Sequence, residues 1–584
     1  MDTLLLMVIC FAGYLLAYHT YGKFLARKIF ELSTTAEVPS RQFEDDIDFV
    51  PTKRGIIFGH HFTSIAGTGP IVGPAIGIIW GWVPAVLWIF FGSIFMGAVH
   101  DFGALIVSMR NEGKSISEIA ARYINSRVRF IFFALVFLSL LIVIAIFGLV
   151  IAVVFKLFPE SVLPVWLQIP IAMGLGFAVY KKKANILLAT MVAVVCMYLT
   201  VALGAYLQEV RPGLLVMPDA LGLKATGLWT IILLGYAWVA STMPVTMLLQ
   251  PRDYINAWQL IVAMALLIVG IVVASTQGLL PLAAPAFNHQ LPADTPPLWP
   301  FMFITIACGA ISGFHSLVAS GTSPKQVANE KDCLFVGYGS MLMEGILAIL
   351  VIICVGAGIA MASEGSALAG TEAWYTHYGE WLGSKGLGDK LNAFILGAAN
   401  ITDTLSLPRT VGTAVMGVFV ASFAGTTLDT SVRLQRYVVT ELASDLKLRF
   451  LTNRWTATTF VVFTAAGLAF ATGASGAGAM ILWPLFGAAN QTLAALALLI
   501  ATLYLRKKGG LKYLTTGIPC VIMLVVTNYA MVVNEIKFIQ AEKPSKLLIA
   551  IGAIIYLLAL WMTVEALIVF SRSKQTPAET TSSQ

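Results

Sequence analysis

Charge is what this chain has least of. Only 11% of its 584 residues are Asp, Glu, Lys or Arg, against about 25% in soluble globular domains, while 58% are hydrophobic and the mean hydropathy is +0.84. A water-soluble fold is excluded, and the chain reads as an integral membrane protein. Its six cysteines, Cys10, Cys196, Cys308, Cys333, Cys354 and Cys520, lie in or beside apolar runs without CxxC spacing, so neither a disulfide framework nor a zinc site is indicated. No metal or cofactor is expected, and no catalytic constellation or soluble catalytic domain is found. The formal net charge of +7 sits in short loops between apolar runs, as the positive-inside rule expects, which argues against a nucleic-acid partner. The first apolar run, 3–25, has neither a basic start nor a small-residue cleavage site, and reads as a retained helix rather than a signal peptide.

Apolar runs of about 20 residues, the length that crosses a bilayer, occur at 3–25, 55–80, 83–109, 130–157, 163–180, 185–208, 226–250, 257–280, 298–322, 334–362, 408–430, 455–472, 477–505, 513–534 and 546–570. That is about fifteen transmembrane helices in an all-α polytopic protein. Alternate loops hold the basic clusters Lys23/Arg27/Lys28, Arg110/Lys114, Lys181/Lys182/Lys183, Arg252, Lys325/Lys331, Arg433/Arg436/Lys447 and Arg506/Lys507/Lys508. That side is expected to be the cytoplasm, with the N-terminus outside and the C-terminus inside. The stretch 391–407, apolar but carrying Asn400, Thr402, Asp403 and Thr404, reads as an outer amphipathic or re-entrant piece. The polar tail 572–584 reads as disordered.

Gly59 to Pro74, GHHFTSIAGTGPIVGP, puts two histidines and a Gly67-Thr68-Gly69-Pro70 break inside a span. Hydrocarbon cannot satisfy backbone groups freed by such a break, so it persists only against protein or a wet cavity. A second x-Thr-x-Pro interruption, Ser241-Thr242-Met243-Pro244, lies five spans later in a helix of opposite direction. Two interrupted spans in corresponding positions of two halves point to a transporter's binding site. The expectation is a 5+5 inverted-repeat core at 53–440, with repeats at about 53–210 and 222–440. Residues 1–52 would add an N-terminal helix and loop, and 441–571 further C-terminal helices. Simple kinking at each proline is the alternative. A rival match, Gly59 to Pro70 against Gly313 to Pro324, joins spans this repeat does not equate, and reads as chance or as convergence on similar helix-end chemistry.

Ionisable groups deep in a span are costly and are functional candidates by default. They are His60, His61, His315, Glu344, and the pair His100/Asp101. Histidine suits proton carriage because its pKa lies near neutrality, and a buried carboxylate shares that ability because burial disfavours its charged form. The ion-coupling candidates are therefore His60, His61, Ser316, Ser320 and Glu344. The substrate-binding candidates are Gly67, Thr68, Gly69, Tyr236, Ser241, Thr242 and His315, because the half-helix ends offer free amides to an anion. His60 and His61 point about 100° apart on a helix, so one of the two is expected to face the cavity. Asp429 and Arg433, four apart, are expected to pair along their helix, and they and the His100/Asp101 pair are read as gating or structural ion pairs. The alternative for each is a satisfied structural hydrogen bond.

The stretches FGHHFTSIAGTGPIVGP (58–74), GAVHDF (97–102), QPRDY (250–254), ACGAISGFHS (307–316), TLDTSVRLQRY (427–437) and WPLFGAANQTLA (483–494) resemble the carbon-starvation CstA family. The resemblance extends over most of the chain. It implies a bacterial cytoplasmic-membrane uptake transporter with an APC-type, LeuT-like core, linked to scavenging carbon in starvation and associated with proton-coupled pyruvate uptake or peptide uptake. It supplies no ligand list to transfer, so the site residues rest on the physical reading. Proton symport of a small carboxylate leads. Sodium coupling is the variant, with carbonyls at Gly67 to Pro70 and the Ser316 and Ser320 hydroxyls as a hard-cation site. Peptide uptake would use Glu344 or Asp101 for the amine. An intramembrane haem protein and a starvation sensor without transport are the alternatives of other classes. No feature fixes an oligomeric state, and the expected partners are the substrate and the lipid bilayer.

Overall fold

The computed structural model describes residues 2–361, 369–381, 386–542 and 544–572. The expected disordered tail, apart from Arg572, lies outside the described residues. The main helices of the described residues are numbered in chain order. They are α1 (Asp2–Ile29), α2 (Arg54–Ala66), α3 (Gly69–Trp80), α4 (Trp82–Met109), α5 (Ser126–Leu157) and α6 (Pro159–Lys181). After them come α7 (Ile186–Val210), α8 (Ala225–Thr242), α9 (Leu249–Thr276), α10 (Leu298–Thr305), α11 (Gly313–Gly321) and α12 (Glu330–Ala360). The last six are α13 (Gly386–Asp403), α14 (Arg409–Asp445), α15 (Arg454–Ala469), α16 (Gly478–Lys507), α17 (Leu514–Gln540) and α18 (Lys546–Arg572).

Local chemistry sets the helix starts. Asn125, Asn185 and Asn453 each turn a side-chain oxygen onto the first free amides of α5, α7 and α15, replacing partners that a helix cannot supply to its own first turn. Between those ends the runs are apolar on every face, which suits a bilayer. Burial then separates centre from rim. The most apolar windows of α12, α14 and α16 are 89%, 89% and 100% buried by protein, whereas those of α1, α7 and α18 are buried to 28% or less and present their outer faces to lipid. Along the centre α14 packs on α5, α9 on α2, α11 on α4 and α16, and α3 on α12 and α13.

Among the described residues, twelve helices are long and apolar enough to cross a membrane, or thirteen with the bent pair α2–α3 counted as one span. Fifteen is therefore too many by that measure. Of the two remaining apolar runs, 298–322 is split into the short helices α10 and α11, and 455–472 forms the sixteen-residue α15. The stretch 391–407 falls mostly within the buried helix α13, which does not meet the spanning criterion.

The two breaks are not where the prolines alone suggest. The first is, because α2 and α3 meet at 40° across Gly67-Thr68, with Gly67 at φ +49°. Ser241-Pro244, however, interrupts no span. Helix α8 ends at Thr242, Met243 is extended, and the chain turns before α9 begins at Leu249. The second broken segment is α10–α11, opened at 306–312 with Gly309 at φ +91°.

Those two breaks lie against each other. A Cβ added to Gly69 would sit 2.3 Å from Cys308 Sγ, and one on Gly73 would meet the Thr305 carbonyl at 2.9 Å. Carbonyls released by the second break are recovered by side chains of neighbouring helices. Trp88 Nε1 donates to Ile306 O at 2.9 Å, and Gln491 Nε2 to Phe303 O at 3.0 Å.

Gly313 tests this packing, since a Cβ there would fall 2.0 Å from the Asn490 carbonyl oxygen. Gly313→Ala is expected to lower stability by about 1–3 kcal/mol, the usual cost of overpacking. Pro244→Ala, in a turn between helices, should shift the melting midpoint of the detergent-solubilised protein far less. Equal shifts in the two variants would contradict the assignment of the breaks.

Candidate functional site

A cavity of about 350 Å³ lies where the two broken helices meet. Thr68 and Gly69 of the first break and Cys308 and Ser312 of the second line it, together with Phe147, Thr427, Trp483, Asn490 and Lys537. Its mouth includes Asp294, Pro296 and Trp381, on the side away from the basic loops. Most of the wall is apolar, from Ile65, Val72, Val143, Phe301 and Phe486, and the few polar groups converge on the breaks, as small-molecule sites are generally arranged.

The amides at the two breaks are treated differently. At α11 the Phe314 N–H donates to Asn490 Oδ1 at 2.9 Å, and Asn490 Nδ2 donates to Ser312 Oγ at 3.0 Å. Gly309 N–H, in the break itself, donates to Glu344 Oε1 at 3.1 Å. Side chains from α16 and α12 thus occupy the end of the second break. At α3 no side chain caps the start, Pro70 sits in the first turn, and Thr68 and Gly69 face the cavity. Thr427 Oγ1, nearby on α14, is buried and has no hydrogen-bond partner.

Behind Cys308 lies a chain of fully buried ionisable groups. His315 Nδ1 is 3.0 Å from Asp101 Oδ2 and His315 Nε2 is 3.4 Å from Glu344 Oε2. Asp101 Oδ1 is held in turn by His100 Nδ1 at 2.8 Å. One imidazole therefore stands between two carboxylates from two other helices, α4 and α12.

The other histidines are engaged elsewhere. His60 Nδ1 pairs with Asp253 Oδ2 at 2.6 Å, and His61 Nδ1 meets Ser323 Oγ at 2.7 Å. Neither lines the cavity. Ser316 donates to Gly313 O at 2.7 Å, while Ser320 donates to Ser316 O and accepts from Ile116 N–H. Ser320 also lines a different cavity, among Lys114, Lys325 and Tyr437, so the hydroxyls and the Gly67 break do not converge.

A second polar network closes the basic side. Arg252 binds Asp429 through both nitrogens, at 2.5 and 3.2 Å, and Tyr236 OH donates to the same carboxylate at 3.1 Å while touching Arg252. Arg433 instead reaches Asp48 at 2.7 Å and the Met243 carbonyl at 2.5 Å, and Tyr437 OH also binds Asp48 at 2.7 Å. The expected Asp429–Arg433 pair along α14 is thus replaced by two tertiary pairs. Tyr236 belongs here rather than at the cavity, and Ser241 and Thr242 hydroxyls fold back onto Trp238 and Val239 carbonyls. The loop holding Asp48 is pinned by Asp45, whose Oδ1 accepts from the amides of Ile47, Asp48 and Phe49 at 2.9 Å.

Of the predicted substrate residues, the structure brings Thr68 and Gly69 to the cavity, whereas His315 does not line it and lies buried behind Cys308. Gly67 packs under Thr427. Reading the sequence missed Thr427, Asn490, Lys537 and Cys308. Asn490 was signalled only by its place mid-span in WPLFGAANQTLA.

The family model "Carbon starvation protein CstA" matches residues 2–530. The chain belongs to the CstA family. It is 32% identical over 577 residues to the peptide transporter CstA of Campylobacter jejuni, covering 92% of this chain and 81% of that one. It is 30% identical over 596 residues to the pyruvate/proton symporter BtsT of Escherichia coli, covering 91% and 81%. Its relatives are transporters, not enzymes, and this chain is a multi-pass membrane transporter of the same family. A manganese transporter of Eremococcus coleocola aligns at a TM-score of 0.44 and 13% identity over 90% of this chain and 98% of that one, a loose likeness from which nothing about cargo follows.

The closing network gives a prediction with a defined pH sign. Burial pushes the Asp48 carboxyl up, but Arg433, Lys325 and Arg436 outweigh it and hold it below the usual carboxylate range. Its contribution is complete above the unfolded value near 3.9 and is lost only as pH falls through the lowered one. Asp48→Asn should therefore lower the melting midpoint by the same amount across about pH 5 to pH 8. Asp429→Asn should cost about 3–5 kcal/mol, because it removes the charge opposite buried Arg252. A wild-type advantage over Asp48→Asn that vanished by about pH 6 would contradict the reading.

Proposed function

We propose that the chain is a secondary active importer of a small carboxylate, pyruvate or a close analogue, driven by proton symport across a bacterial cytoplasmic membrane. The observation that carries this reading is His315, held between Asp101 and Glu344 behind Cys308, which lines a cavity where the two helix breaks meet. The proton/pyruvate coupling named for one relative agrees with it.

In this reading the basic face is cytoplasmic, the N-terminus lies outside, and the cavity opens to the exterior. Lys537 at the mouth attracts the anion. The Thr68 and Gly69 amides at the start of α3, with Thr427 Oγ1 and Asn490, receive its carboxylate, using the positive end of the half-helix. The proton is carried by the His315–Glu344 pair. A bound anion nearby favours the protonated form of that pair, and linkage requires the proton to favour the anion equally. Inward release then needs the Arg252–Asp429 and Arg433–Asp48 pairs to part. The two broken helices run in opposite directions, as an inverted repeat would have them, but they lie seven spans apart and so do not take the 5+5 positions first given to 55–80 and 226–250. Uptake of short peptides is a second reading, favoured by the size of the cavity, which a pyruvate-sized anion fills only in part, and by the names of the peptide-transporting relatives.

Proteoliposomes with labelled pyruvate test both. An inward proton gradient should drive accumulation, a sodium gradient should not, and His315→Ala or Glu344→Gln should abolish the proton-driven component. His60→Ala should retain it, because His60 is tied to Asp253. Failure of pyruvate to accumulate under either gradient would sink the substrate assignment, and competition by dipeptides would replace it with peptide uptake.

A further inference from the structure

One group of side chains is better furnished than proton carriage requires. Cys308 Sγ, a His315 ring nitrogen and a Glu344 carboxylate oxygen come from the second helix break, from α11 and from α12, and all lie within 4.8 Å of one another. No hydrogen bond of ordinary geometry reaches His315 Nε2 or Glu344 Oε2, although both are fully buried. The remaining atoms of the same side chains are already held, with His315 Nδ1 on Asp101 and Glu344 Oε1 on the Gly309 amide.

That division of labour is the one metal sites use. A ligating histidine gives its other ring N–H to a carboxylate, which fixes the tautomer and aims the lone pair. With Asp101 as the acceptor, Nδ1 carries the hydrogen and Nε2 presents its lone pair toward Glu344 and Cys308. Asp101 is itself oriented by His100 at 2.8 Å. Bond lengths of about 2.0–2.3 Å around tetrahedral zinc place its ligand atoms about 3.4–3.6 Å apart, and the Nε2 to Oε2 separation is 3.4 Å. Cys308 alone of the three is part exposed, and it lines the cavity, which gives an entry path.

We propose that Cys308, His315 and Glu344 form a binding site for a borderline-soft divalent transition-metal ion, zinc above all, with its fourth ligand position toward the cavity. The mixed thiolate, imidazole and carboxylate set suits zinc or cobalt and is a poor match for magnesium or calcium, which take oxygen ligands. Zinc enters from the cavity side and displaces the thiol proton of Cys308. The inference is independent of what the transporter carries. It does bear on transport, because a metal on His315 Nε2 and Glu344 occupies the atoms a coupling proton would need, so zinc at the open side blocks uptake.

The test is metal binding to the purified full-length protein in detergent. Cobalt should titrate to one ion per chain with a thiolate-to-cobalt charge-transfer band that zinc displaces. Cys308→Ser should abolish the band, and Asp101→Asn, which alters only the group behind His315, should weaken zinc binding by about 10–100-fold. Absence of a zinc-displaceable band, or its survival in Cys308→Ser, overturns the proposal. A second measurement needs no variant. Zinc should protect Cys308 from maleimide, read by mass spectrometry, with Cys196, also part exposed, as the internal control. Equal labelling of Cys308 with and without zinc would count against the site just as decisively.

Discussion

The contact of one broken helix with another is the constraint on which the rest of this structure depends. Inside hydrocarbon an unpaired backbone group costs several kcal/mol, so neither break can face lipid. Each is covered by the other, Gly69 against Cys308 and Gly73 against the Thr305 carbonyl, and glycines are what allow the backbones to approach. The groups still unpaired then dictate where polar side chains must stand. Glu344 is in α12 where the Gly309 amide needs an acceptor, Asn490 in α16 where the Phe314 amide needs one, and Trp88 in α4 where the Ile306 carbonyl needs a donor. Intramembrane polarity here is first of all the completion of a broken backbone. Chemistry is added to it where the completing residue has an atom to spare, as Glu344 does.

The two polar networks divide the molecule. The one around Cys308 and His315 lies behind a cavity lined by the two breaks, while the one around Arg252, Asp429, Arg433 and Asp48 ties α8, α9 and α14 to the 45–52 loop. Apart from the part-exposed Cys308 and Asp48 both are buried, but only the second pairs every acid with a long basic side chain. Such pairs contribute little net stability once desolvation is counted, yet breaking one partner is costly. That asymmetry suits a closure that must hold in one state and re-form in another. The loop from Asp45 to Thr52 spans the closure, with Val245 N–H on Ile47 O, and Thr52 N–H on Gln326 O. Movement of α2 away from α9 and α14 would have to disturb all of these contacts together.

Much of this was legible in the sequence, and the failures have particular causes. The first break is written in Gly67-Thr68-Gly69-Pro70, where glycine and proline both act locally. The second has no proline within 306–312, and what holds it open is Glu344, Asn490 and Gln491 from helices far along the chain. Pro244 sends the stronger local signal and marks only a helix end. The Asp429–Arg433 expectation failed in the same way. An i,i+4 pair on an exposed helix contributes about 0.2–0.5 kcal/mol, and two fully buried residues on α14 find better partners across helices. The similar stretches at Gly59 to Pro70 and Gly313 to Pro324 form α2 and α11, two half-helices near the basic face joined through His61 and Ser323. Their likeness goes with that shared position and not with the two breaks, since one stretch ends at its break and the other follows it.

The histidines show why residue type alone does not identify a site. His60, His61, His100 and His315 are all buried, and all four put Nδ1 on a polar partner. What separates them is the second nitrogen. At His60, His61 and His100 it meets no partner and no carboxylate within ion-pair distance, whereas at His315 it points to Glu344 beside a cysteine that lines the cavity. His315 is therefore the one of the four whose ring stands between two carboxylates, Asp101 and Glu344. The functional element is thus less the histidine than the break beside it, which brings Cys308 to the cavity and leaves Glu344 with an uncommitted oxygen.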